Sequence, residues 1–211
     1  MNQQKIIGIY LAAGQSSRFG QNKLLASLGK VPLGSMALET ALQSNLDEVF
    51  VVTKKGDLLK WFPEAIRAKY RKKVKILSCT QSNKGQSFSL KYGLDKAKKA
   101  GAIAIVVILA DQPCISVHLI NQLIEYYHAH RLLAFIGATY RGTISPPILF
   151  DARFFPRLYE LKGDTGARQL IQRNVHLGYL FEITDPILHT DVDTVDDYVN
   201  LLQKLAPFPG K

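Results

Sequence analysis

The residues with the clearest chemical potential lie in segment 11–25, which follows the apolar run 6–10. The segment combines small residues with two cations, Arg18 and Lys23. Backbone N–H groups approach an anion closely only where side chains are small, and the two cations would then neutralise its charge. The spacing matches neither G-x-x-x-x-G-K-[ST] nor G-x-G-x-x-G. The segment therefore predicts an uncommon phosphate-binding loop after a buried strand, with an ordinary surface turn as the alternative.

Acidic residues follow at two places where they could serve such a loop. Asp111 comes directly after the apolar run 103–109, and Pro113 ends that strand. Asp111 lies five residues too early to cap the helix expected from Ser116. The second acidic segment is 191–194, where the aspartates could equally be the N-terminal cap of the next helix. The residues alone leave that choice open.

Two further loops combine glycine with polar side chains. Segment 83–90 opens a helical pattern with Gly85 and two hydroxyls, and those serines could simply cap the helix. Segment 163–168, Gly-Asp-Thr-Gly-Ala-Arg, offers free N–H groups and a cation for a second anion, or else a plain helix start. Segment 145–150 predicts a stiff, exposed proline pair leading into an apolar strand.

Composition predicts one domain over residues 1–206 with a flexible tail at 207–211. The chain has 211 residues, of which 47% are hydrophobic and 21% charged, as in ordinary soluble globular proteins. No apolar run approaches the roughly 20 residues of a membrane span, and residues 1–5 are too short and polar for a signal peptide. Cys79 and Cys114 lack a C-x-x-C spacing, which favours a cytoplasmic location.

The net charge of +10 is concentrated in clusters at 54–55, 69–75 and 96–99. No aromatic residues alternate with these cations in the way that base-stacking surfaces require. We therefore expect a solvated basic face that helps to collect anionic substrates, and no nucleic-acid partner. The five histidines show no zinc-binding spacing.

Apolar runs alternate with helical periodicity along most of the chain. Strands are predicted at 6–11, 49–53, 74–77, 103–109 and 133–138, with helical stripes around 33–40 and 90–97 and a helix over 118–130. This alternation predicts an α/β fold: a single-domain, three-layer, Rossmann-like arrangement with a mostly parallel sheet and helices on both faces. Ligands bind such sheets beyond the carboxyl ends of the strands, where the first loop and Asp111 should meet.

The run Leu-Ala-Ala-Gly-x-Ser-x-Arg-x-Gly-x-x-Lys resembles the signature of the MobA-like nucleotidyltransferases, and most of all that of the molybdenum cofactor cytidylyltransferases. The resemblance implies that this loop wraps a nucleoside triphosphate. Guanylyl-transferring relatives tend to have glycine where this chain has Ala13, which favours CTP over GTP. The implied nucleotide-binding residues are Leu11, Ala12, Ala13, Gly14, Ser16, Arg18, Lys23, Gly85, Ser87 and Ser89.

The same resemblance extends to the acidic segments and to the later loops. Leu-Ala-Asp-Gln-Pro matches a motif whose aspartate binds Mg²⁺, so Asp111 and Asp193 are the implied metal ligands, with Asp191 as the fallback. Arg18, Lys23 and Asp111 are the implied catalytic residues. The implied acceptor-binding residues are Pro146, Pro147, Gly163, Asp164, Gly166 and Arg168.

The resemblance implies transfer of CMP from CTP to the terminal phosphate of molybdopterin or its molybdenum-loaded form, with release of pyrophosphate. A molybdoenzyme would receive the product. A sugar-phosphate or GTP-using nucleotidyltransferase is the enzymatic alternative. An accessory protein for a molybdenum hydroxylase such as xanthine dehydrogenase would not need the metal carboxylates. An NAD(P)-dependent oxidoreductase would need a glycine-rich dinucleotide fingerprint, which the sequence lacks.

Overall fold

The predicted alternation of strands and helices is present in the computed structural model of the protein. The structure describes residues 4–205, apart from the side chain of Ser17. The predicted tail at 207–211 lies outside the described residues. The strands are β1 (Lys5–Ala12), β2 (Ser27–Leu28), β3 (Val31–Pro32), β4 (Glu48–Lys54), β5 (Val74–Cys79), β6 (Ala102–Leu109), β7 (Phe135–Tyr140), β8 (Thr143–Asp151) and β9 (Gly178–Glu182). The helices are α1 (Leu33–Gln43), α2 (Glu64–Lys69), α3 (Gln86–Lys99), α4 (Val117–Ala129), α5 (Phe155–Leu158), α6 (Arg168–Arg173) and α7 (Val195–Leu205).

Seven strands form one sheet in the order β5-β4-β1-β6-β8-β7-β9. β8 runs antiparallel to both of its neighbours, and the other pairings are parallel, so the prediction of a mostly parallel sheet is confirmed. The chain visits β7 before β8, although β8 lies next to β6. A short second sheet pairs β2 with β3.

The proline pair does not form the exposed segment that the sequence predicts. Pro146 and Pro147 lie inside β8, where Pro147 is buried and Pro146 half-buried. The pairing between β7 and β8 shifts register between Ile136 and Ala138, close to the prolines. Proline has no N–H to donate, so a register irregularity is where a sheet can accommodate it.

Two apolar clusters, one on each face of the sheet, confirm the three-layer arrangement. On one face α1, α4 and α7 pack against Tyr10 and Val106. On the other, α3, α5 and α6 pack against Ile9 and Val107. Gly93 brings α3 close to the sheet, because a Cβ there would lie 2.7 Å from Ile9 Cγ2. Within residues 4–205, none of the helices is long and apolar enough to cross a membrane.

The pairing of β1 with β6 brings the two chemically important strand ends together. Leu11 of β1 is paired with Leu109 of β6. The Ala110 N–H then donates to the Leu11 carbonyl at 3.1 Å, which extends the pairing by one residue. The small-residue loop and Asp111 therefore leave the sheet side by side, as the sequence predicts.

Candidate active site

The loop after β1 turns back on itself before it reaches Lys23. Ser16 adopts a left-handed backbone with a φ of 52°, and its Oγ accepts a hydrogen bond from the Lys23 N–H at 3.3 Å. Asn22 Oδ1 then caps the short turn Lys23–Leu25 through the Leu24 N–H. Nothing lies within 4 Å of where a Cβ on Gly14 would be. The loop thus leaves open space in front of its backbone.

Asp111 is fixed from two sides. Its own strand end is tied to β1, and its carbonyl accepts a hydrogen bond from the Val192 N–H at 2.8 Å. Val192 is fully buried, which anchors the C-terminal segment beside the end of β6. Ser116 Oγ caps α4 through the Leu119 N–H, so Asp111 is not needed as the cap of that helix.

Asp193 does not cap the helix that follows it. Thr194 and Asp197 form a reciprocal capping box: Thr194 Oγ1 accepts from the Asp197 N–H at 3.1 Å, and Asp197 Oδ2 accepts from the Thr194 N–H at 2.8 Å. Asp197 Oδ2 also accepts from the Asp193 N–H at 3.1 Å. Because the cap uses these neighbouring side chains, the Asp193 carboxylate is available to the site.

The Lys23 ammonium joins the two aspartates. Its Nζ donates to Asp111 Oδ2 at 2.9 Å and to Asp193 Oδ1 at 2.8 Å, and its side chain is only 9% exposed. Arg18 Nη2 donates to Asp193 Oδ2 at 2.8 Å from a largely exposed position. The residues that the sequence nominates as cationic and as metal-binding therefore meet at one point.

The electrostatics of this cluster keep the lysine charged. Burial lowers the pKa of Lys23, but the carboxylates of Asp111 and Asp193 outweigh burial, and the net shift of the pKa is upward. Asp191 lies in the same cleft, but its Oδ1 accepts from Gln112 Nε2 at 2.6 Å. Burial, with the neighbouring charges of Asp111 and Asp193, raises the pKa of Asp191 despite that hydrogen bond.

A cleft of about 490 Å³ opens over this cluster. Its walls contain all three aspartates and every predicted nucleotide-binding residue except Ser87. Residues that the sequence did not assign to the nucleotide also line it: Gln15, Leu24, Ser82, Asn83, Gln86, Leu109, Ala110 and Asp164, of which Asp164 was predicted to bind the acceptor. Ser82 directly precedes segment 83–90, and Asn83 and Gln86 lie within it, so that segment and its N-terminal flank were the signal that could have found them.

A second cleft of about 330 Å³ lies beside the first and shares Leu11, Gln86, Leu109 and Asp164 with it. Among its other lining residues are Pro146, Gly166 and Arg168, three of the predicted acceptor residues, and also Ser87. Most of the remaining lining side chains are apolar: Leu90, Val107, Ile144, Ile148, Phe150 and Ala167. Arg168 Nε donates to the Ile144 carbonyl at 2.9 Å, which leaves its other N–H groups for a ligand.

Gly163 has a packing role that the sequence did not predict. Gly85 has a φ of 117°, and a Cβ on it would lie 2.3 Å from the Gly163 carbonyl carbon. The Gly163 carbonyl accepts from the Ser87 N–H at 3.0 Å, and Asp164 Oδ1 accepts from the Gln86 N–H at 3.2 Å. Segment 163–164 therefore docks on the N-terminus of α3. Neither Gly163 nor Pro147 is among the residues that line the second cleft.

Comparison with known proteins places this geometry in a family. The family model of the MobA-like NTP transferase domain matches residues 8–177 of this chain. The chain belongs to this family. "Purine catabolism protein PucB" of Bacillus subtilis (strain 168) is 38% identical to it over 201 residues, 94% of this chain and 96% of that protein.

Two further relatives extend the comparison of the MobA-like chain. "2-C-methyl-D-erythritol 4-phosphate cytidylyltransferase" of Dictyoglomus thermophilum is 26% identical over 141 residues, 67% of this chain and 60% of that protein. The crystal structure of Rv0371c from Mycobacterium tuberculosis H37Rv superposes with a TM-score of 0.76 at 25% identity, covering 96% of this chain and 100% of that one. Rv0371c has also been solved in complex with manganese. The predicted nucleotidyltransferase fold and family are therefore confirmed.

The donor atoms of this MobA-like site fit a divalent cation. Asp111 Oδ1 is buried and has no hydrogen-bond partner among the described residues. A positive charge, the Lys23 ammonium, already lies between the two carboxylates. No group of three or more His, Cys, Asp or Glu in residues 4–205 could hold a metal by itself. That is compatible with Mg²⁺, which commonly takes one or two carboxylates and fills its octahedron with waters and substrate phosphates.

Proposed function

We propose that this MobA-like protein transfers CMP from CTP to the terminal phosphate of molybdopterin, or of its molybdenum-loaded form, and releases pyrophosphate. The observation that carries the proposal is the meeting of Lys23, Asp111 and Asp193 beneath an open small-residue loop. Two clefts that share a wall suit a donor and an acceptor held side by side.

The main cleft would hold the nucleotide. The backbone of segment 12–16 faces open space at Gly14, where phosphate oxygens could accept N–H bonds. When the nucleotide binds, Lys23 and Arg18 would exchange some of their ion pairs with the aspartates for ion pairs with the phosphates. Ala13 favours CTP by family resemblance, and the Dictyoglomus relative is named as a cytidylyltransferase.

The second cleft would hold the acceptor. Its apolar walls suit an organic ring system, and Arg168 at its edge suits the phosphate that such a ring carries. The name of the Bacillus relative refers to purine catabolism. That name supports a recipient molybdoenzyme that acts on purines, as the sequence-based alternative of an accessory role also suggested.

The reaction follows from the charges. An acceptor phosphate monoester is mostly dianionic near neutral pH, since its second pKa is about 6, so it needs no general base. One of its oxygens bonds to the α-phosphorus of CTP, and the bond from that phosphorus to the pyrophosphate oxygen breaks. Asp111 and Asp193 would hold a divalent cation such as Mg²⁺, which when bound neutralises phosphate charge. Lys23 and Arg18 lower the repulsion between the two anionic substrates and stabilise the departing pyrophosphate.

The deciding experiment measures pyrophosphate release from each of the four ribonucleoside triphosphates in the presence of Mg²⁺. Each reaction is run with molybdopterin, with a sugar 1-phosphate and with no acceptor. We expect release with CTP that depends on molybdopterin, and a product that contains CMP by mass spectrometry. Release with GTP, or release that depends on the sugar phosphate, would show instead a GTP-using or a sugar-phosphate nucleotidyltransferase. Tight CTP binding without release in any arm would favour the non-catalytic accessory role.

A further inference from the structure

Ser87 is a buried hydroxyl that the fold itself does not use. The residue is 1% exposed, and its Oγ has no hydrogen-bond partner among the described residues. It lies in the first turn of α3 and lines the second cleft. The sequence had assigned Ser87 to the nucleotide together with Ser89, but only Ser89 lines the main cleft. Two serines of one helical turn therefore face different clefts.

The capping role that could explain Ser87 is filled by other groups. Asp164 Oδ1 accepts from the Gln86 N–H, and the Gly163 carbonyl accepts from the Ser87 N–H. The N-cap residue of α3 is Gly85, which has no side chain to make a cap hydrogen bond. Segment 163–164 thus accepts hydrogen bonds from the first N–H groups of the helix, and the Ser87 hydroxyl is not needed as a cap. A buried hydroxyl without a partner is unfavourable, so it points to a partner that arrives with a ligand.

The surroundings of Ser87 define what that ligand must look like. The neighbouring walls are the apolar side chains of Leu90, Val107, Ile148 and Phe150. The polar groups lie at Gln86, Asp164 and Arg168. A flat ring that carries a hydrogen-bonding heteroatom on its edge could bury its faces against the apolar walls and present that heteroatom to Ser87.

We propose that Ser87 is a specificity-determining residue for the acceptor, and that its hydroxyl hydrogen-bonds the polar edge of the acceptor's ring. The inference rests on the proposed function for the role of the second cleft, but it names a contact that the family signature does not contain. Ser89, two residues along the helix, serves the nucleotide instead. Discrimination then follows from the cost of leaving the hydroxyl unpaired when a ring without the heteroatom enters.

The test compares Ser87→Ala with Ser89→Ala as the matched control. Binding of the fluorescent probe 6-hydroxymethylpterin to the full-length protein is measured by fluorescence titration, and binding of CTP by calorimetry. We expect Ser87→Ala to weaken pterin binding about tenfold and to leave CTP binding unchanged, which is the effect of one lost neutral hydrogen bond. Ser89→Ala should show the reverse pattern.

Thermal unfolding separates this role from a structural one. Because Ser87 Oγ has no partner in the protein, its removal should leave the Tm of the free protein unchanged or raise it. A lower Tm together with unchanged pterin binding would make Ser87 a packing residue and overturn the inference. Equal pterin binding by wild type and Ser87→Ala would overturn it as well, and so would no pterin binding by the wild type.

The outcomes also separate this inference from the proposed function. Transfer of CMP to molybdopterin by the wild-type protein tests the function alone. If transfer occurs and Ser87→Ala keeps the wild-type KM for molybdopterin, only the Ser87 inference fails. If no transfer occurs but Ser87→Ala still weakens pterin binding relative to wild type, the inference stands and the proposed reaction fails.

Discussion

Asp111 is bound through one carboxylate oxygen and unpaired at the other. Its Oδ2 accepts from Lys23, while Oδ1 is buried without a partner in the described part of the chain. Asp111→Asn should therefore lower kcat by about 100-fold to 1000-fold, since it removes a charge at the reacting phosphates. Lys23 keeps its ion pair with Asp193 in this variant, so Tm should change by less than about 3 °C. Steady-state pyrophosphate release and thermal unfolding measure the two effects.

Asp191→Asn is the matched control for that variant. It removes the same charge from the same cleft, but the Asp191 carboxylate is bound to Gln112 rather than to Lys23. We expect its loss of kcat to be less than about tenfold. If Asp191→Asn were the more damaging of the two, the fallback residue would be the true ligand in place of Asp193 or Asp111.

Lys23 offers a prediction that does not depend on turnover. In Lys23→Met the carboxylates of Asp111 and Asp193 lose the ammonium that joins them. We expect Tm at neutral pH to fall by about 3–6 °C, because two neighbouring carboxylates then repel each other. Millimolar Mn²⁺ or Mg²⁺ should raise the Tm of the variant more than that of the wild type. An equal rise in both proteins would show that these carboxylates do not hold the cation.

At the scale of elements, the contact between α3 and segment 163–164 organises both clefts. Gly85→Ala would place a Cβ 2.3 Å from the Gly163 backbone, at a φ that L residues rarely adopt. We expect a loss of about 2–4 kcal/mol in unfolding free energy by urea denaturation. Gly14→Ala is the control: its Cβ meets nothing within 4 Å, so stability should be retained while the KM for CTP rises. Equal stability of the two variants would contradict the described contact.

The elements that periodicity could reveal were predicted, and those set by long-range pairing were not. β1, β4, β5 and β6 are continuous apolar or half-buried runs, and their predicted bounds are within two residues of those observed. β8 contains two prolines, so the sequence predicts a strand only after them, whereas pairing with β6 and β7 extends the observed strand through the prolines to Thr143. The sequence could not show that pairing, because neighbours in a sheet need not be neighbours in the chain.

The site residues that belong to local motifs were predicted, and the contacts between distant segments that arrange them were not. The loop, Asp111 and Asp193 each belong to a local motif, and the structure brings them together through Lys23. Which hydroxyl faces which cleft depends on the helical rotation between Ser87 and Ser89, and on where segment 163–164 docks. That docking is a contact between residues about 80 positions apart, which no local spacing encodes.

At the scale of the whole molecule, the charge is strongly asymmetric. Residues 53–99 contain fourteen lysines and arginines but only three acids, so this segment carries +11 and the rest of the chain carries −1. The segment covers the end of β4, then α2 and the edge strand β5, and finally α3, which packs on one face of the sheet. Such a field attracts a nucleotide over a Debye length of about 8 Å at physiological salt.

This asymmetry predicts a salt-dependent rate of substrate capture. Raising the ionic strength from about 0.02 M to about 0.2 M should lower kcat/KM for CTP by about threefold or more, with kcat unchanged. Lys54 and Lys55 are exposed at the carboxyl end of β4, on the same edge as the loop after β1. Lys54→Glu with Lys55→Glu should lower kcat/KM at low salt and flatten its salt dependence.

Lys98→Glu with Lys99→Glu makes the same change of charge at the other end of α3. Lys98 lies nine residues beyond Ser89, the last residue of α3 that lines the main cleft, which is roughly 14 Å along the helix and exceeds a Debye length at physiological salt. Their substitution should leave the salt dependence close to that of the wild type when it is measured above about 0.1 M. If both pairs changed kcat/KM equally, capture would depend on total charge alone. If neither pair changed it, the basic segment would serve solvation and not the substrate.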